Sequence, residues 1–270
     1  MDAITATSHP STGVPETETA TAPVVGAVGQ RTIWLTVSIL ILSAAAWIST
    51  AAVTGGMATS DMEATAIDGT IFYGVWVLMM AAMMLPAALP MFRLYSRMAG
   101  SKPVGFVGGY LILWSAAGIV AYLAYAVAHG SAISMTEMGS LGRQVAIGLI
   151  LAAALYQLSP LKNVCLRHCR SPLAFVMNHW HSGFVGAVRM GLQHGCWCLG
   201  CCAGLMVLLF AVGVMNIGWM AVLALVILAE KTLPGGLWIA RAVSAAMLFL
   251  AVAFAASPAF YSLVTAQGAM

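Results

Sequence analysis

The sequence predicts an all-α, polytopic transmembrane helix bundle of about seven spans behind a disordered N-terminal tail. Three observations predict it. Of 270 residues, 61% are hydrophobic and 7% are charged, whereas an ordinary soluble domain has about a quarter of its residues charged. Mean hydropathy is +0.95, so water is not the solvent for most of the surface. The apolar residues are gathered into runs near 32–54, 71–92, 104–128, 142–159, 184–213, 216–233 and 236–257. A helix needs about 20 apolar residues to cross a hydrocarbon core. The fifth run is long, and the last two are separated only by a turn at Pro234-Gly235-Gly236, so six spans with one run re-entrant is the alternative count. The formal charge of +3 contains no basic block. The lipid bilayer is therefore the expected partner, and nucleic acid is not.

Residues 1–30 are rich in Thr, Ala, Pro, Ser and Gly and carry no Lys or Arg. Such a stretch buries too little apolar surface to offset its ordering entropy and reads as a disordered cytoplasmic tail. It lacks the basic n-region of a secretory signal. A single helical domain follows over 31–260. It is interrupted by a Cys/His cytoplasmic loop at 160–183 and followed by a short external tail at 261–270. Orientation comes from the basic residues of the short loops. Arg31, then Arg93, Arg97 and Lys102, then Lys162, Arg167 and Arg170, and finally Lys231 occupy one set of ends. Asp61, Glu63, Asp68 and Glu137 occupy the other. The N-terminus is thus expected in the cytoplasm, and the setting is expected to be a bacterial inner (plasma) membrane.

Three groups of soft side chains stand out. In "LQHGCWCLGCCAGLMVLLF", helical spacing of about 100° per residue puts Met190, His194, Cys198, Cys201 and Cys202 on one stripe, with Cys196 nearly opposite. Thiolates, imidazole and thioether select Cu(I), zinc or iron–sulfur clusters. The glycines Gly191 and Gly195 also fit plain close helix packing. The second group is Cys165 and Cys169, four apart, with His168 between them and His179 and His181 following. That spacing suits zinc or Cu(I). The third is Met79, Met80, Met83 and Met84, paired at i, i+4 in span two ahead of Pro86 and Pro90. External loops add Met57, Asp61 and Met62, then His129, Met135, Glu137 and Met138. Thioethers need no deprotonation, so they suit Cu(I) outside the membrane, where thiolates would oxidise. Of the polar residues within apolar runs, Arg189 and Lys231 read as snorkelling side chains, and Glu230 beside Lys231 reads as an interface pair.

"AAMMLP", "YQLSPLKNVCLRHCRSPLAF", "CLGCC", "GVMNIGWM" and "EKTLPGG", in that order, resemble the family of predicted metal-binding integral membrane proteins, long known as a domain of unknown function. The resemblance runs from about Met79 to Arg241. It implies copper supply to a cuproenzyme client, and it marks Cys165, Cys169, Cys198, Cys201, Cys202, Asn216, Glu230 and Lys231. Ala203 stands where the family pattern often has an aromatic, and Trp197 lies upstream.

The function that these residues support is copper handling, as a metallochaperone or conduit without enzymatic activity. Copper as Cu(I) is the expected metal and zinc the alternative. The metal candidates are His194, Cys198, Cys201, Cys202, Cys165, Cys169, Met79, Met80, Met83 and Met84. Competing readings are a membrane thiol oxidoreductase using the Cys198/Cys201 CxxC, a haem protein ligated by His129, His179, His181 or His194, and a scaffold subunit.

Overall fold

The computed structural model describes residues 22–57, 69–99, 103–130, 135–212 and 216–266. Among them every regular element is helical: α1 (Ala22–Met57), α2 (Gly69–Met98), α3 (Pro103–Gly130), α4 (Met135–Leu158), α5 (Pro160–Arg170), α6 (Pro172–Asn178), α7 (Gly183–Val212), α8 (Ile217–Thr232), α9 (Gly236–Ala256) and α10 (Pro258–Ala266). The all-α expectation holds. Six helices are long and apolar enough to cross a membrane, namely α1, α2, α3, α4, α7 and α9. The sixth apolar run forms α8, which has only 16 residues. At 1.5 Å per residue it rises about 24 Å and falls short of a full span. It still reverses the chain, running back along the second half of α7 until Lys231 meets Cys198. The outer surface is apolar: Val185 is 80% exposed, Phe249 75% and Trp238 72%. An apolar exterior of this extent suits lipid rather than water.

Three boundaries differ from the sequence reading. Residues 22–30, read as part of the disordered tail, are helical from Ala22 onward. The Ala/Val-rich stretch simply extends span one, and Pro23 is tolerated because it lies in the first turn. The segment 160–183, read as a loop, holds α5 and α6. Pro160 and Pro172 start these helices, and Ser159 caps the first by accepting a 3.2 Å hydrogen bond from the Lys162 backbone N–H. Residues 261–266 of the tail continue α10, which begins at Pro258 and whose Tyr261 packs on Phe254 at 5.1 Å between ring centroids. Asp61, Met62, Glu63 and Asp68, and the side chains of Met57, His129, Met135, Glu137 and Met138, lie outside the described residues.

Two packing devices set the helix arrangement. Where α3 meets α7, a Cβ on Gly109 would collide with the Val188 carbonyl, and one on Gly191 with the Phe106 carbonyl. Absent side chains thus let two backbones touch, as small residues do between membrane helices. The second device serves α2, which continues as a helix through Pro86 and Pro90. Proline has no N–H, so Pro86 leaves the Ala82 carbonyl without its usual partner four residues on. The buried Ser43 hydroxyl of α1 donates to that carbonyl at 2.7 Å. Replacing Ser43 with Ala should therefore lower stability by about 1 kcal/mol, measured by thermal unfolding in detergent. In a Pro86→Ala background the N–H at position 86 satisfies Ala82 again. There the same replacement should cost only a few tenths of a kcal/mol, or about that, in a double-mutant cycle.

Candidate metal centre

The predicted stripe on α7 faces inward. Met190, His194, Cys198, Cys201 and Cys202 are all buried, whereas Cys196 is exposed. The sulfurs of Cys198, Cys201 and Cys202 lie within 4.8 Å of one another. Cys201 Sγ is 3.5 Å from Cys202 Sγ and 3.6 Å from Cys169 Sγ. Sulfurs sharing one ion with bonds of about 2.3 Å stand roughly 3.8–4.0 Å apart. The cluster therefore needs only small rotamer adjustments to close on a metal. No carboxylate is part of it, and an all-sulfur donor set favours Cu(I), with zinc the next choice.

Cys169 comes from α5, so the two cysteine groups that look separate in sequence converge on one centre. The reason is the pattern of α5. Lys162, Cys165 and Leu166 are buried on one face, and Cys169 continues it at i, i+3, i+4 and i+7. Cys165 lies on that face but packs against Gly200 of α7 rather than on the sulfur group; a Cβ at Gly200 would stand 2.6 Å from its Sγ. Burial pushes the Cys165 thiol up from its ordinary value.

Two further groups touch Cys198. The Lys231 ammonium donates to its sulfur at 2.9 Å, and the Tyr110 hydroxyl lies 3.0 Å away. Lys231 therefore does not snorkel: its amine points into the protein and supplies the one positive charge in contact with the thiols among the described residues. Nor do Glu230 and Lys231 form a pair. Consecutive helical residues diverge by about 100°, and Glu230 turns to Lys162, with which it forms a buried ion pair at 2.7 Å. Gln157 bridges the same two side chains. Arg170 donates to the Glu230 carbonyl at 2.6 Å. The C-terminus of α5 and the last turn of α8 are thereby locked side by side, which holds Cys169 and Lys231 against α7.

His194 sits one turn before Cys198, stacked near Tyr110 and Phe106, and its buried Nδ1 has no hydrogen-bond partner. It borders a cavity of about 230 Å³ together with Met91, Cys169, Arg170, Lys231 and Thr232. Met79, Met80, Met83 and Met84 are buried in the common core, and none of them lines this cavity. Met91, farther along α2, does; it belongs to the same Met-rich run but falls after both prolines, where the sequence reading stopped. His168 stacks on Trp197 at 4.0 Å and His179 on Phe175 at 4.8 Å, away from the thiols. Asn216 is the N-cap of α8, its side chain accepting from the Trp219 N–H at 3.1 Å.

Helices long and apolar enough to cross a membrane, closed around thiols spaced to share one soft ion, define the class of this molecule. The family described as PpoB2, copper chaperone, matches residues 73–254, and the chain belongs to it. The match spans α2 to α9 and includes every cysteine of the centre. No curated protein and no solved structure matches the chain.

The ion pair gives the first check on this geometry. Lys162→Met leaves the buried Glu230 carboxylate without its counter-charge and should cost about 3–5 kcal/mol. The double change Lys162→Met with Glu230→Leu should recover most of it. Unfolding midpoints in detergent measure both.

Proposed function

We propose that the protein is an integral membrane copper protein that binds Cu(I) on Cys198, Cys201 and Cys202 and passes it toward a copper-dependent client. The observation that carries this reading is the convergence of three buried α7 thiols with Cys169 of α5, with no carboxylate in the group among the described residues. Three thiolates on Cu(I) carry a net charge of −2, and Lys231 reduces that burden in a low-dielectric interior. Cys169 is the exchange ligand: it reaches the centre on one side and the cavity on the other. Cys165 and the methionines at 79, 80, 83 and 84 pack around the centre rather than ligate. The family description of copper chaperone supports the choice of metal.

Purified protein carrying Cys198→Ser and Cys201→Ser should lose most of its bound copper, and Cys196→Ser should retain it, measured as metal per folded chain. In the host, the copper occupancy of the client enzyme should fall with the double variant. A reading as thiol oxidoreductase draws on the 3.5 and 3.6 Å sulfur separations. It demands instead a disulfide that cycles with turnover, and copper retained by the double variant would favour it.

The thiol centre packs midway along α7 against α5 and the last turn of α8, and the end of the bundle that these two mark carries Lys162, Arg167, Arg170 and Lys231. We assign that end to the cytoplasm of a bacterial inner membrane, on the rule that short basic loops stay inside. A single cysteine placed at Arg167 in a cysteine-free background should resist an impermeant thiol reagent in intact cells and react after permeabilisation. Labelling in intact cells would invert the topology.

A further inference from the structure

The cavity beside the thiol centre combines soft donors with positive charge. Met91, Cys169 and His194 contribute a thioether, a thiol and an imidazole whose buried Nδ1 has no partner. Arg170 and Lys231 contribute cations, and no Asp or Glu lines the cavity. Lys231 is directed at Cys198, so its charge is offset when that sulfur ionises. Arg170 is not offset in this way: its guanidinium donates to a backbone carbonyl, and the carboxylate of that same Glu230 is taken by Lys162. A bare Cu(I) cation approaching this cavity meets a repelling charge. An anionic complex of the same ion is attracted.

Resting on the copper reading above, we propose that the cavity receives Cu(I) as an anionic complex with two small thiolates rather than as the free ion. Arg170 draws the complex in, and His194, Met91 and Cys169 take the metal from it and pass it to Cys198, Cys201 and Cys202. The exchange is redox-neutral. Two bonds from copper to the small thiolates break, and bonds to protein sulfurs form. Two of the three protein-thiol protons leave on the departing thiolates, the third is released to water, and copper remains Cu(I) throughout.

The test compares two copper sources on the full chain in detergent micelles: Cu(I) held by glutathione, which is anionic, and Cu(I) held by acetonitrile, which is cationic. Stopped-flow absorbance of the protein thiolate–copper transition reads the loading rate, and the final copper per chain reads capacity. Arg170→Gln should slow loading from the glutathione complex by about tenfold, in the range of electrostatic steering, and should not slow loading from the cationic acetonitrile complex. Arg170→Lys should restore the rate. Added salt should slow wild-type loading from the first source only. Thr232 is exposed at the cavity, and Thr232→Glu tests the same charge without disturbing the Arg170 contact; it should slow the glutathione reaction alone. Equal slowing of both sources, or of neither, in Arg170→Gln and Thr232→Glu overturns the proposal and leaves the copper centre standing. Wild-type protein that binds no copper from either source overturns the copper reading itself.

Discussion

The ion pair between Lys162 and Glu230 is the constraint from which the centre follows. Two opposite charges buried from water are tolerable only together, so the start of α5 and the end of α8 must stay in register. Once they do, helical periodicity decides the rest. Lys162 and Cys169 share a face of α5 two turns apart, so pinning the first aims the second at Cys201. Glu230 and Lys231 diverge on α8, so turning the carboxylate toward α5 leaves the ammonium aimed at Cys198. A polar pair that touches no ligand thus positions both a thiol and the charge that accompanies it.

The α7 half of this arrangement is legible in the sequence because it is a property of one helix. A periodicity of 3.6 residues is enough to separate the inward cysteines from Cys196. The α5 half is legible as ligands, since Cys165 and Cys169 stand out at four apart, but not as a helix, and the reason is physical. Its basic residues gave it the composition of a loop, while the signals of a capped amphipathic helix (Ser159 before Pro160, then buried positions at 162, 165, 166 and 169) were present but short. The partner of Glu230 was out of reach altogether. Sequence adjacency suggested Lys231, whereas the partner lies on another helix, and pairing between distant helices depends on packing that no local pattern encodes. Met91 is hidden in the sequence because Pro86 and Pro90 separate it from the other methionines, although α2 continues through them.

That continuation is itself a tertiary effect. A proline inside a helix leaves a carbonyl unsatisfied, and the Ser43 hydroxyl of α1 supplies the missing donor. The close contact of α3 with α7 is the complementary case, in which what matters is the absence of atoms at Gly109 and Gly191. Together these keep α2, α3 and α7 close enough for Tyr110 of α3 to reach from the Met84 carbonyl to the Cys198 sulfur.

The shortness of α8 has a consequence for the surrounding lipid. In the proposed membrane setting, a helix of 16 residues leaves about 6 Å of a 30 Å hydrocarbon layer unmatched. Neighbouring acyl chains must compress at that point, or headgroups and water must sink inward to meet the protein. At the end of α8 that carries Lys231, the mismatch puts headgroups and water beside the exposed Thr232 and the cavity lined by Arg170. A dent in the bilayer would then bring solvent to the thiols sideways, with no pore through the bundle.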